Sequence, residues 1–202
     1  MRKLALRGLV VAVVIGVLGV GSYAIAGGGS KTFKGSPLNG YEENPDLSTV
    51  ATGSFEAKLS KDGTSLHYKL SYSGLEGNVT QSHVHFGKRA INGGISFFLC
   101  SNLTGAPAGT PACPGTTEGT VEGDIEAADV IGPGATVGPP PTAGQGIEPG
   151  NLAEILAAMR AGHAYANVHT TKWPGGEIRA QLNDRNFKHG HHDDDHKKGD
   201  DH

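Results

Sequence analysis

The sequence predicts an all-β protein: an antiparallel sandwich or barrel of about eight short strands, with one short helix late in the chain. Two observations lead there. Apolar residues alternate at period two through most segments between positions 49 and 182, and glycine- or proline-rich turns separate those segments. A third places the helix, because helical spacing of apolar residues occurs only around Leu152, Ile155, Leu156 and Met159.

The clearest pair of strands is a hairpin. Ala51, Gly53, Phe55, Ala57 and Leu59 share one parity, and Leu66, Tyr68, Leu70 and Tyr72 share another beyond Lys61-Asp62-Gly63-Thr64. An Asp-Gly pair between two such runs is hairpin chemistry, since glycine takes the positive φ that the turn needs. His67 alternates outward and is expected at the surface. Upstream, Gly27-Gly28-Gly29-Ser30 reads as a flexible linker spanning 27–31, and Thr32 to Leu38 as an edge strand whose pairing stops at Pro37. Gly40-Tyr41-Glu42-Glu43-Asn44-Pro45 is a turn, and its two carboxylates are expected to be solvated.

Val79 to Phe86 forms the next strand, Gly87 to Gly94 returns the chain, and Ile95 to Cys100 is apolar enough to be buried. Residues 101–116 form a loop containing Cys113, and Glu118 to Ile125 resumes as a strand. Val130 to Gly150, with Pro139-Pro140-Pro141, is irregular. Asn151 caps the helix, with Glu154 three residues on, and Gly162 ends it. Tyr165 to Thr170 is a strand, Trp173-Pro174-Gly175-Gly176 a tight turn with the indole over the core edge, and Glu177 to Leu182 a last strand with Ile178, Ala180 and Leu182 inward. The domain therefore spans 32–183.

The two ends differ in composition from the domain. Arg2, Lys3 and Arg7, an apolar run from Leu9 to Val20 and Ala24-Ile25-Ala26 follow the order of a secretory signal peptide, with cleavage expected after Ala26. Its loss removes three basic groups and no acid, taking the formal charge from -3 to -6, which argues against nucleic acid as a partner. A secreted or cell-envelope location follows, with no membrane attachment after cleavage. In that compartment Cys100 and Cys113, the only cysteines, are expected to form a structural disulfide. Residues 184–202 form a tail expected to be disordered, in which His189, His191, His192, His196 and His202 lie among aspartates and would chelate divalent ions loosely. Asn78-Val79-Thr80 and Asn102-Leu103-Thr104 match the glycosylation sequon.

The candidate site lies on three of these segments. In a strand, side chains i and i+2 share a face, so if Val84 and Phe86 face the core, His83 and His85 stand together on the other side. His169, Glu177 and Arg179 occupy strand-like contexts some eighty positions on. One reading is a copper or zinc site of His83, His85 and His169, with Glu177 as a fourth or supporting ligand. The other is a hydrogen-bonded network of the same groups with Asn167 and Arg179 that fixes sheet register. Catalysis has no motif to rest on: Gly-x-Ser-x-Gly, a Walker loop, His-Glu-x-x-His and a free thiol are all missing from the sequence.

Several of these stretches resemble one known module. Leu38-Asn39-Gly40-Tyr41-Glu42-Glu43-Asn44-Pro45, Ser82-His83-Val84-His85-Phe86-Gly87, Ala164-Tyr165-Ala166-Asn167-Val168-His169-Thr170 and Pro174-Gly175-Gly176-Glu177-Ile178-Arg179-Ala180-Gln181-Leu182 resemble the CHRD domain, first described in chordin and found also in bacterial exported proteins. The resemblance implies an immunoglobulin-like module outside the cell, a non-catalytic binding or structural unit whose partner is an extracellular protein or cell-surface ligand. His83-Val84-His85-Phe86-Gly87 also looks like the copper-ligand strand of copper/zinc superoxide dismutases. Those enzymes need further histidines in the following loop, and residues 86–130 contain none, which argues against a complete dismutase centre.

Overall fold

The computed structural model describes residues 31–132 and 144–184. Its strands are β1 (Thr32–Leu38), β2 (Thr52–Leu59), β3 (Ser65–Ser73), β4 (Val79–Phe86), β5 (Ile95–Ser101), β6 (Gly119–Glu126), β7 (Ala164–Thr170), β8 (Ile178–Gln181) and β9 (Asn183–Asp184), with one helix, α1 (Leu152–Arg160). Two antiparallel sheets result, ordered β6-β3-β2-β1-β9 and β5-β4-β7-β8. The protein is an all-β sandwich.

The inner faces are the alternating apolar residues of the sequence. Phe55, Ala57, Leu66, Tyr68 and Leu70 from one sheet join Val84, Phe97, Leu99, Val168 and Ile178 from the other in a single buried cluster. Each large aliphatic or aromatic side chain buried there contributes about 1.5–3 kcal/mol. The Tyr68 hydroxyl, carried into that core, donates to the Leu99 carbonyl across the sandwich at 2.6 Å, so its burial leaves no donor unpaired.

Local chemistry sets the connections. In the β2–β3 turn the Asp62 carboxylate accepts from the Ser60 hydroxyl and the Thr64 N–H, and Gly63 takes a φ of 79°. Asn151 accepts from the Glu154 N–H at 3.2 Å to cap α1, whose buried face is Leu152, Ile155, Leu156 and Met159. Cys100 at the end of β5 is bonded to Cys113, and closing so short a loop is worth about 3 kcal/mol on the chain-entropy estimate.

Two boundaries differ from expectation. β1 is not an edge, because β9 pairs with it: Phe33 lies opposite Asp184 and Lys34 opposite Asn183. Asp184, assigned to the tail on composition, is therefore the last residue of a strand, and a two-residue strand is too short to leave a periodic signal. Nor does pairing end at Pro37. The register with β2 shifts between Gly35 and Leu38 and resumes at Leu38 opposite Gly53, a bulge that absorbs the missing proline donor. The leader at 1–26, the linker but for Lys31, and the tail histidines His189, His191, His192, His196 and His202 lie outside the described residues.

Candidate functional site: a buried polar layer on the outer face of one sheet

The outer face of β5-β4-β7-β8 carries the polar residues. Register places His83 opposite Asn167, His85 opposite Tyr165, Asn167 opposite Arg179 and Tyr165 opposite Gln181. The expected alternation holds, with Val84 in the core and both imidazoles on the far side. Their environment is not the expected one. His83, His85 and His169 are only 1%, 7% and 7% exposed, and Arg179 and Glu43 only 1% and 6%.

Loops lie over this face, and the layer holds them by their backbones. His85 Nδ1 is 2.9 Å from the Gly93 carbonyl and His169 Nδ1 is 2.8 Å from that of Pro174. Arg179 Nη2 donates to the carbonyls of Lys88 and Ile91, both at 3.1 Å, and Gln181 donates to those of Gly87 and Gly162. The Tyr165 hydroxyl accepts from the Gly93 N–H. The Lys88 carbonyl also accepts from the Ile91 N–H at 3.2 Å, whereas a buried loop carbonyl left with no donor at all costs about 1–3 kcal/mol.

Within the layer the rings stack. His85 lies parallel to Tyr165 with centroids 4.7 Å apart, and the Arg179 guanidinium covers the Tyr165 ring at 3.4 Å. His83 packs edge-on to Phe98 at 4.4 Å. The three imidazoles converge: His83 Nδ1 is 3.2 Å from His169 Nε2, while His85 Nε2 and His169 Nε2 are 3.1 and 3.0 Å from Asn167 Oδ1. One nitrogen from each ring lies within 4.8 Å of the other two.

Burial sets the charge states. Desolvation, with His169 and His85 alongside, holds His83 down to about 2, and desolvation takes His85 down to about 4. His169 is lowered for the same reason, so all three rings are neutral at neutral pH. Desolvation pushes Glu43 up to about 7, against the opposing pull of Arg179 and of hydrogen bonds from Asn44 and Asn167. Desolvation also lowers Arg179, opposed by Tyr165 and Glu43.

Glu43 is the residue the sequence reading misplaced: expected in solvent, it is sealed into the layer. Gly176 makes room for it, because a Cβ there would come within 2.5 Å of Glu43 Oε1, and its φ is 127°. Glu177 is also elsewhere than expected. It is fully buried, but its carboxylate accepts from the Thr49 hydroxyl, the Glu76 N–H and the Thr170 hydroxyl at 3.0, 2.7 and 2.8 Å. It ties three chain segments together and is not among the grouped imidazoles. Standing just before β8, it is free of the strand alternation that would have put it on the outer face.

The loops enclose a cleft of about 360 Å³ lined by Glu43, Asn44, Pro45, Leu47, Asn92 and the Trp173–Gly176 turn. Trp173 stands partly exposed at its wall, its indole N–H donating to Glu76 at 3.2 Å.

A two-sheet antiparallel sandwich with polar residues buried under loops on one outer face defines an all-β module with a pinned loop surface. The chain belongs to the CHRD domain family, whose model matches residues 35–182. Neither a curated protein nor a solved structure matches it.

Proposed function

We propose that this CHRD domain is an exported, non-catalytic binding module, and that a segment of an extracellular protein or another cell-surface ligand seats in the cleft between Glu43 and Trp173. The observation behind this reading is that two of the three loops forming the cleft are anchored to one rigid sheet through His85, His169, Arg179 and Gln181, and the third is tied to them by the Asn92 amide donating to the Asn44 carbonyl at 3.0 Å. Loops held in this way lose little conformational entropy when a partner arrives, which favours affinity. The cleft wall combines Pro45, Leu47 and Trp173 with the amides of Asn44 and Asn92, a mixed lining suited to extended peptide or glycan. Export is supported by the Cys100–Cys113 bond, which persists in oxidising compartments, and by the leader-like residues 1–26. No helix among the described residues is long and apolar enough to cross a membrane.

Trp173 is the sole tryptophan of the chain, so its fluorescence reports on the cleft directly. Cell-envelope and matrix extracts passed over the immobilised full chain are expected to yield a ligand that shifts this emission. Trp173→Ala, with an unchanged Tm, should bind the same ligand at least roughly tenfold more weakly, as for a central aromatic anchor. Equal binding by the variant would refute the cleft as the contact surface.

A further inference from the structure

The geometry points to a closed, four-coordinate site for a zinc-type transition ion, formed by His83, His85, His169 and the side-chain oxygen of Asn167. It is independent of whatever the cleft binds. The starting point is hydrogen placement. The carbonyls of Gly93 and Pro174 can only accept, so the nitrogens facing them, His85 Nδ1 and His169 Nδ1, carry the ring hydrogens. Neutral imidazoles of that tautomer present Nε2 as a bare lone pair, and a backbone carbonyl on the other nitrogen is the usual support of a metal-ligating histidine.

Both lone pairs face the same atom, Asn167 Oδ1, at 3.1 and 3.0 Å. A hydrogen on His83 Nδ1 can serve His169 Nε2 at 3.2 Å, but His85 Nε2 and Asn167 Oδ1 still meet with no hydrogen between them. Two arrangements relieve that: the amide turns round and donates its two hydrogens, or a cation sits among the lone pairs. Glu43 argues against the first, because its carboxyl is a hydrogen-bond partner of the Asn167 side chain. That contact draws the NH2 end toward Glu43 and leaves the oxygen facing the rings. A second observation is independent of Asn167. His83 Nε2 is buried without a hydrogen-bond partner, so the third ring has no hydrogen-bond partner beyond the cluster to account for its position.

The spacing suits an ion. Ligand atoms about 2.0–2.1 Å from a tetrahedral zinc are separated by about 3.3–3.4 Å. Three separations in the cluster, 3.0, 3.1 and 3.2 Å, are close to this, and one nitrogen of each ring is within 4.8 Å of the others, so small ring rotations complete the set. Three nitrogens and one neutral oxygen select zinc or copper over magnesium or calcium. With the fourth position filled by Asn167 and the layer covered, such an ion is structural and has no place for a substrate.

The test uses the full chain, refolded with zinc chloride and then dialysed against a moderate chelator. One zinc per chain is expected by elemental analysis. It should survive replacement of the five tail histidines by alanine, and cobalt loaded in its place should give tetrahedral visible bands. His85→Gln and His169→Gln should each weaken retention by on the order of 100-fold. Asn167→Asp covers the case in which the histidine variants fail to fold: an added carboxylate should hold zinc at least as tightly as the parent, whereas an amide that serves only as a donor predicts a less stable chain that zinc does not rescue. No retained zinc in the parent, or zinc that disappears with the tail histidines, overturns the site.

Discussion

Arg179→Met is expected to destabilise the domain by about 3–5 kcal/mol, the cost of removing one partner from a buried polar network. The guanidinium stacks on Tyr165, donates to Lys88 and Ile91, and draws Glu43 toward its charged form. Methionine fills much of the volume but supplies no donor, so the Ile91 carbonyl loses its donor, the Lys88 carbonyl keeps only the Ile91 N–H, and Glu43 loses the positive charge beside it. Arg179→Lys should fall much nearer to methionine than to the parent, since an ammonium can neither lie flat on the ring nor reach both carbonyls. Urea denaturation gives the magnitude. Hydrogen exchange locates it, with protection expected to fall first across residues 87–94 while the β2–β3 hairpin keeps its own. Pairing the variant with Glu43→Gln should restore part of the loss, because the isolated carboxyl is then removed. A loss below about 1 kcal/mol would show that Arg179 does not hold the loop.

The second large effect is a dependence of stability on pH with two opposed contributions. Glu43 is raised in the fold to about 7 from about 4.5. Between those values the folded chain binds a proton that the unfolded chain does not, so this residue's contribution falls as pH rises through that window. At pH 8 its buried charge costs about 3 kcal/mol. His83 and His85 are shifted the other way, to about 2 and about 4, and His169 is also lowered. Below about 6.5 the unfolded chain takes up protons that the folded chain refuses, so the imidazole contribution is lost as pH falls. Three groups oppose one, and the metal-free protein should be most stable near neutral pH and weaken steeply toward pH 4. Glu43→Gln should be more stable than the parent at pH 8, by up to about 3 kcal/mol, with little or no advantage at pH 4.5. Chemical denaturation in chelator at the two pH values decides this. A variant that loses more at pH 8 than at pH 4.5 reverses the sign and contradicts the assignment.

The sandwich was legible because its inner faces obey simple periods. Alternation in β2, β3, β4 and β8, the Asp62-Gly63 turn and the Asn151 cap are local signals, and each appears in the structure where the residues indicate. The outer face was legible only in part. Alternation put His83 and His85 together, but no local pattern records that residues 87–94 and the Trp173–Gly176 turn fold back over them and exclude water. For that reason Glu43, in a turn rich in polar residues, read as a solvated charge, and Glu177 read as a neighbour of the imidazoles when it is held by Thr49, Glu76 and Thr170. Burial of a polar side chain depends on contacts distant in sequence, as with the His83–Asn167 and Tyr165–Gln181 pairs, and periodicity carries no information about such cover.

The account turns on three uncharged imidazoles sealed beneath loops that two of them help to hold. Long-range proton–nitrogen NMR of the chelator-treated protein, followed from pH 8 to pH 5.5, observes those rings directly. The structure predicts that His83 and His85 stay neutral throughout and that His169 titrates below the usual imidazole range, with the ring hydrogen of His85 and His169 on Nδ1. Protonation of any of the three with a midpoint near 6.5, or a ring hydrogen on Nε2 of His85 or His169, would contradict it.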